Sequence, residues 1–294
     1  MKDLYIAAEI SKQGFHQWLD REYIRLEEQQ QIIPILNELR DKHRAVSCRK
    51  FYKMIQPKTM GRDQFEDFCF HNGFKVPHKR RRYINTTDSR GVNRFDNLIL
   101  TLDELTGINQ LWVSDITYYE LGKKTYFLTF IQDVYNREIV GYSLSEDLCT
   151  ENTTLVALKQ AIRYRRPAKD CGLIIHSDGG GQYYSKLFVG YAKSLGIRNS
   201  MGISPYDNPH AERINGTIKN GYLYPHEPKN LEELNKLLIK GVNLYNTERP
   251  HDSLGGYAPY EFLQMTKLGL LTKKWVINKK KKVTKKEKVN ISIN

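Results

Sequence analysis

Three runs rich in β-branched and aromatic residues, 111–119, 125–134 and 138–145, succeed one another with only short turns at Leu121-Gly122 and Tyr135-Asn136 between them. Connections this short commit the segment to neighbouring strands, which constrains the fold more than any other feature of the chain. The texture then changes. A helix is expected over 153–165, a short buried strand over 172–176, and helices over about 185–195, 208–223 and 231–245. Consecutive strands followed by a strand alternating with helices indicate an α/β fold, a mixed sheet flanked by helices.

Residues 1–80 read as helical, with Ile32, Ile33, Ile35, Leu36 and Leu39 at helical spacing among polar residues. Two shorter helices, about 46–55 and 62–71, are separated by Pro57 and Gly61 and closed by Asn72-Gly73. That punctuation suits a helix-turn-helix or a plain helical hairpin. The cluster Lys79-Arg80-Arg81-Arg82 follows at once, suits phosphate contact and favours the former.

Of the net charge of +13, residues 1–100 contribute 19 Lys+Arg against 13 Asp+Glu, and residues 267–294 contribute 10 against 1. The middle is near neutral. Basic flanks around a neutral centre suit a polyanion, although the Lys-rich stretch 273–288 also reads as a solvated tail. No run approaches the roughly 18 to 20 apolar residues of a membrane span. Asp3, Glu9 and Asp20 interrupt the first twenty residues, so neither secretion nor membrane insertion is expected. Cys48, Cys69, Cys149 and Cys171 form no CxxC pair, which argues against a disulfide framework and a thiolate zinc site.

The acidic residues carry the chemistry. Asp115 interrupts an apolar strand, where a carboxylate is costly unless paired or cation-bound. Asp178 lies just beyond the C-terminal end of the 172–176 strand, at the rim where open sheets bind ligands. Gly179-Gly180-Gly181 follows it and permits a sharp turn, but no Gly-Lys-Ser/Thr completes a phosphate loop. On the expected 208–223 helix, Asn208, Glu212, Asn215 and Lys219 share one face, while Ile214, Ile218 and Tyr222 lie opposite. That face is either solvated or part of a site. Three carboxylates together would repel each other unless divalent cations intervened, and an all-oxygen set suits magnesium or manganese. Two such ions about 4 Å apart suit phosphodiester transfer, and the basic flanks make the phosphodiester nucleic acid.

Trp112-Val113-Ser114-Asp115-Ile116-Thr117-Tyr118, the stretch from His176 to Tyr183, Ser200-Met201 with Tyr206-Asp207-Asn208, Glu212 with Lys219, and Tyr245-Asn246 through Arg249 and His251 to Leu254 together resemble the integrase-core (DDE) transposases of bacterial insertion sequences. The second-frame proteins of the IS-three family are the nearest likeness, over about residues 20–265. The resemblance implies a ribonuclease-H-like, retroviral-integrase-type five-stranded mixed sheet in which Asp115, Asp178 and Glu212 bind two Mg2+ or Mn2+ ions. The interval between Asp178 and Glu212 holds 33 residues where the family usually has 35, so the loop before Tyr206 is shorter.

The expected organisation is a helical DNA-binding region over 1–82, a linker over 83–108, the integrase catalytic core over 109–266 and a basic tail over 267–294. The expected partners are double-stranded DNA at element ends and target, further copies of the chain on DNA, and an upstream-frame protein; the place of action is the bacterial cytoplasm. Lys219, Asn208, Asn215 and Lys79 to Arg82 are the expected DNA contacts. Arg249 and His251 suit either DNA contact or capping of the last helix. His176 suits either a metal neighbour or a strand-end histidine satisfied by backbone. A structure-selective nuclease on the same fold, and a DNA-binding regulator with a decayed core, are the rivals. The intact acidic set disfavours the regulator.

Overall fold

The computed structural model describes Tyr5 and residues 11–76, 95–202 and 207–276, in two units, Met1–Arg80 and Arg81–Asn294. Helix α1 (Lys12–Lys42) starts at Ser11, whose hydroxyl oxygen accepts the Gly14 N–H; α2 (Cys48–Ile55) and α3 (Arg62–His71) follow. Ile32, Leu36, Phe51, Phe65 and Cys69 fill the core among them. Arg40 fastens the corner by donating to the Val46 carbonyl at 2.7 Å, with its guanidinium 4.6 Å from the Phe51 ring centre. Cys48 and Cys69, distant in sequence, interact here as free thiols. Lys79 to Arg82 and the lysines beyond Val276 lie outside the described residues.

The second unit is organised on five strands. β1 (Glu104–Leu105) stands apart from them; β2 (Leu111–Leu121), β3 (Lys124–Asp133) and β4 (Ile139–Ser145) form an antiparallel meander. Gly122, at φ 62°, opens the two-residue loop between β2 and β3, the place where a hairpin turn calls for a left-handed residue. Helix α4 (Thr154–Arg165) then leads to β5 (Ile174–Ser177), which pairs parallel with β2, and α5 (Lys186–Ser194) leads to β6 (Arg198–Met201), parallel with β5. The order β4-β3-β2-β5-β6 is the ribonuclease-H-like arrangement. Trp112, Ile131, Val140, Leu158 and Phe188 pack one face against α4 and α5. On the other face, α6 (Pro209–Ile218) and α7 (Leu231–Thr247) bury Ile214, Ile218 and Leu238 on Leu128 and Phe130. No described helix is long and apolar enough to cross a membrane.

Three features depart from the sequence expectations. The single helix over 208–223 ends at Ile218 and continues as a π-helical turn, Lys219–Leu223. The widened turn places both Tyr222 and Leu223 in the core, where Gly241 of α7 leaves room: a Cβ there would stand 2.8 Å from Tyr222 Cβ. The linker expected over 83–108 carries a 3-10 turn (Leu98–Thr101) and β1, which pairs with β7 (Trp275–Val276) beyond helix α8 (Pro259–Lys267). Leu98, Ile99, Leu102, Leu105, Leu271 and Trp275 pack into one cluster with Leu111 and Val113, so scattered apolar residues draw both flanking stretches onto the sheet. Finally, the polar stretch Arg-Asn-Ser-Met forms β6, where the sequence expectations include no strand.

Asp133, fully buried at the end of β3, accepts the N–H groups of Asn109 at 2.8 Å and Tyr135 at 3.0 Å. Burial pushes its pKa up to about 6, against the pull of Arg165. Since that lies above the ordinary 3.8, the stability Asp133 contributes is complete at low pH and lost as pH rises through about 6. The cost of Asp133→Ala in urea denaturation should therefore be larger near about pH 4.5 than near about pH 7.5. An equal cost at both would mean that the carboxyl does not titrate in the fold.

Candidate active site

The last parallel pair of β2 and β5 is Val113 with His176. Asp115, two residues further along β2, and Asp178, one residue past the end of β5, therefore lie at the same rim. Burial raises the Asp115 pKa well above the usual carboxylate range, and the charges of Asp178 and Glu212 raise it further. Burial likewise raises Asp178. The Gly180 N–H donates to Asp178 Oδ1 at 3.1 Å, and a Cβ on Gly180 would stand 3.1 Å from the same oxygen. None of the three glycines has a positive φ. The run serves close approach to the carboxylate, and the expected sharp turn is a 3-10 turn, Gly181–Tyr184.

Glu212 occupies the first turn of α6 and is exposed, a place where the helix dipole favours a carboxylate. Its charge reaches Asp115, but among the described residues no three His, Cys, Asp or Glu side chains gather tightly enough to hold a metal ion. The structure thus brings Asp115 and Asp178 together and leaves Glu212 at the edge of their field.

The polar face of α6 turns onto β2. Asn208 Nδ2 donates to the Ser114 carbonyl at 2.9 Å, and Asn215 Nδ2 donates to Asp115 Oδ2 at 2.7 Å. Lys219 Nζ donates to Thr117 Oγ1 at 2.6 Å and lies 5.2 Å from the Tyr118 ring centre. Residues expected to point at DNA are engaged with the strand. Both Asn208 Oδ1 and Asn215 Oδ1 are buried without a hydrogen-bond partner among the described residues, a costly state. An oxygen-seeking cation with its water shell would relieve it, so the donor set fits magnesium or manganese.

Tyr183, the last residue of the stretch from His176, gains a role that its sequence position does not signal. Its hydroxyl lies 2.9 Å from Ser114 Oγ, and burial together with Asp115 and Asp178 keeps the phenol protonated. His176 is a structural tie. Its Nδ1 lies 2.9 Å from Ser200 Oγ, which also accepts the Leu98 N–H, and burial lowers its pKa to about 4. His251 meets the Tyr245 ring edge-on at 4.8 Å, and its backbone N–H donates to the Tyr257 carbonyl. Tyr245 and Asn246 are equally structural: Asn246 bonds both backbone groups of Ile139 at 2.9 Å, and the Tyr245 hydroxyl accepts from Gln132.

A sheet in this order, with two shielded aspartates at its parallel rim, describes the class of integrase-core polynucleotidyl transferases. Two family models, each described as integrase core domain, match residues 106–206 and 194–259. Residues 106–259 thus carry an integrase core domain, and the chain is a relative of the transposases of bacterial insertion sequences. It is 28% identical over 264 residues to the insertion element IS600 uncharacterized 31 kDa protein of Shigella sonnei, covering 86% of this chain and 94% of that protein. To the transposase for insertion sequence element IS629 of Shigella sonnei it is 36% identical over 155 residues, 52% of this chain and 51% of that protein. The chain thus spans about half the length of that relative. Among solved structures, the HTLV-2 integrase catalytic core domain in complex with magnesium (trimeric form) aligns at 25% identity and a TM-score of 0.43, over 52% of this chain and 95% of that one. The assignment rests on the sequence matches.

Proposed function

We propose that this protein is a DNA transposase that cleaves the ends of an insertion sequence and joins the freed 3′-hydroxyl to DNA, with Asp115, Asp178 and Glu212 holding two Mg2+ or Mn2+ ions. The carrying observation is the charge arrangement. Two shielded carboxylates with raised pKa values lie in the field of a third, and among the described residues none of the three forms a salt bridge. Among the described residues Lys219 is the cation whose charge reaches Asp115, and it offsets only part of the repulsion; divalent cations would compensate the rest and attract a phosphodiester. Bound ions supply Lewis-acid stabilisation and an activated oxygen nucleophile.

The chain's own groups orient the carboxylates. Asn215 fixes one oxygen of Asp115, the Gly180 N–H fixes one of Asp178, and Asn208 ties the start of α6 to β2. Double-stranded DNA, at element ends and target, is the substrate. The helical region over 1–82 reads it, Lys79 to Arg82 and the lysines beyond Val276 contact phosphates, and the chain acts as a homo-oligomer on DNA in the cytoplasm with an upstream-frame partner. Lys273 is tied inward, donating to the Ser253 carbonyl and lying 4.0 Å from the Trp275 ring centre. For Lys219 to reach a phosphate it must first release Thr117.

The test is incubation of the protein with labelled DNA carrying the native element's ends and Mg2+, with products mapped at nucleotide resolution. Joined strands are expected. Cleaved but unjoined products would replace this reading with that of a nuclease, and metal-independent cleavage would overturn it.

A further inference from the structure

The turn between β3 and β4 holds a cation in unusual surroundings. Arg137 is 8% exposed, yet among the described residues it forms no salt bridge. Its Nη1 lies 2.8 Å from His210 Nδ1 and 3.2 Å from Nε2, and its guanidinium carbon sits 4.4 Å from the Trp275 ring centre. Its backbone is left-handed, with φ 62°, a conformation unfavourable for any residue with a Cβ. The register of β3 with β4 shifts beside it, between Ile131 and Gln132. Gln132 Nε2 holds the turn by donating to the Arg137 carbonyl at 2.8 Å. A desolvated guanidinium facing an imidazole and an indole is a poor device for stability, since among the described residues no carboxylate pairs with it and the charge of Asp133 offsets its desolvation only from a distance. Strain and buried charge kept together call for another explanation.

These contacts lead into the candidate active site. His210 is the second residue of α6, two before Glu212. Among the described residues the Glu212 carboxylate has no hydrogen-bond or ion-pair partner, so its position depends on the first turn of that helix. On the far side, Trp275 Nε1 donates to the Tyr135 carbonyl at 2.9 Å, and Trp275 is anchored by the pairing of β7 with β1.

We infer that Arg137 is a positioning residue for Glu212: the Trp275–Arg137–His210 stack fixes the first turn of α6 and with it the approach of Glu212 to Asp115 and Asp178. The inference rests on reading those three carboxylates as a divalent-cation site. The guanidinium donates to whichever nitrogen of the neutral imidazole carries a lone pair, and the indole face takes up the remaining positive charge.

The test is Mn2+ binding by titration calorimetry on the full chain without DNA, alongside the melting temperature in metal-free buffer. Arg137→Ala and His210→Phe should each weaken Mn2+ roughly 10-fold or more, the usual effect of losing a group that orients a ligand. His210→Gln keeps an acceptor and should retain near-parent affinity. The Arg137→Ala/His210→Phe pair should be no worse than either alone, because both break one chain of contacts. Parent-like Mn2+ affinity in His210→Phe, or equal loss in His210→Phe and His210→Gln, would overturn the inference even if Arg137→Ala failed to fold. Asp115→Asn separates the two levels. If it binds Mn2+ normally, the cation-site reading itself fails; if it loses Mn2+ while the Arg137 and His210 variants do not, only the positioning role fails.

Discussion

Asp115→Asn should abolish strand cleavage and joining while raising the melting temperature of the metal-free protein. The two effects have one cause. Burial, Asp178 and Glu212 all penalise the ionised carboxyl, so a neutral side chain of nearly the same shape relieves repulsion in the absence of cations. The amide oxygen can still accept from Asn215 Nδ2, now at 2.7 Å from Asp115 Oδ2. Activity should drop on the order of 10³-fold or more, since removing one member of a catalytic unit disables the whole. A gain of about 1 kcal/mol corresponds to roughly 2–4 °C in a domain of this size. Calorimetry with and without Mg2+ reads the second effect and a DNA-joining gel the first. An inactive variant that melted lower would make Asp115 a structural group.

Gly141→Ala should do the reverse, destabilising the fold and leaving the chemistry of folded molecules intact at low temperature. Gly141 lies on β4, where α4 crosses. An added Cβ would stand 2.2 Å from the Ala157 carbonyl oxygen and 2.9 Å from Ala161 Cβ. A backbone carbonyl inside a helix cannot step aside, so α4 must lift from the sheet, at a cost of about 3 kcal/mol or more. Urea denaturation should show a lowered midpoint with an unchanged slope. A midpoint equal to that of the parent would mean that helix and strand are not in contact as described.

The strands around Asp115 were legible because each is a run of β-branched and aromatic residues cut by a turn. β6 was not: three of its four residues are polar, and its pairing is decided by β5 beside it. Periodicity grouped Asn208, Glu212, Asn215 and Lys219 on one face, and the structure has that face. What periodicity lacks is direction. It says which residues share a side of a helix, not whether that side meets solvent or, as here for all but Glu212, the neighbouring strand. The inward turn of Lys219, the interaction of Cys48 with Cys69, and Arg137 beside His210 each depend on residues distant in sequence coming together. No local pattern encodes such a meeting, and the two-residue strands β1 and β7 are too short to leave any periodic mark.

That small ladder also has a mechanical meaning. Val276 pairs with Glu104 at its outer end and Trp275 with Leu105 behind it. Tension that draws the chain beyond Val276 away from β1 loads the ladder in the peeling direction, one rung at a time, the mode in which paired strands resist least. After the outer rung, the next thing to move is the indole that covers Arg137. Such a pull on the C-terminal flank would thus be felt at the first turn of α6 before any strand of the five-stranded sheet gave way, so the β1–β7 ladder behaves as a fuse set between a tether and the carboxylates.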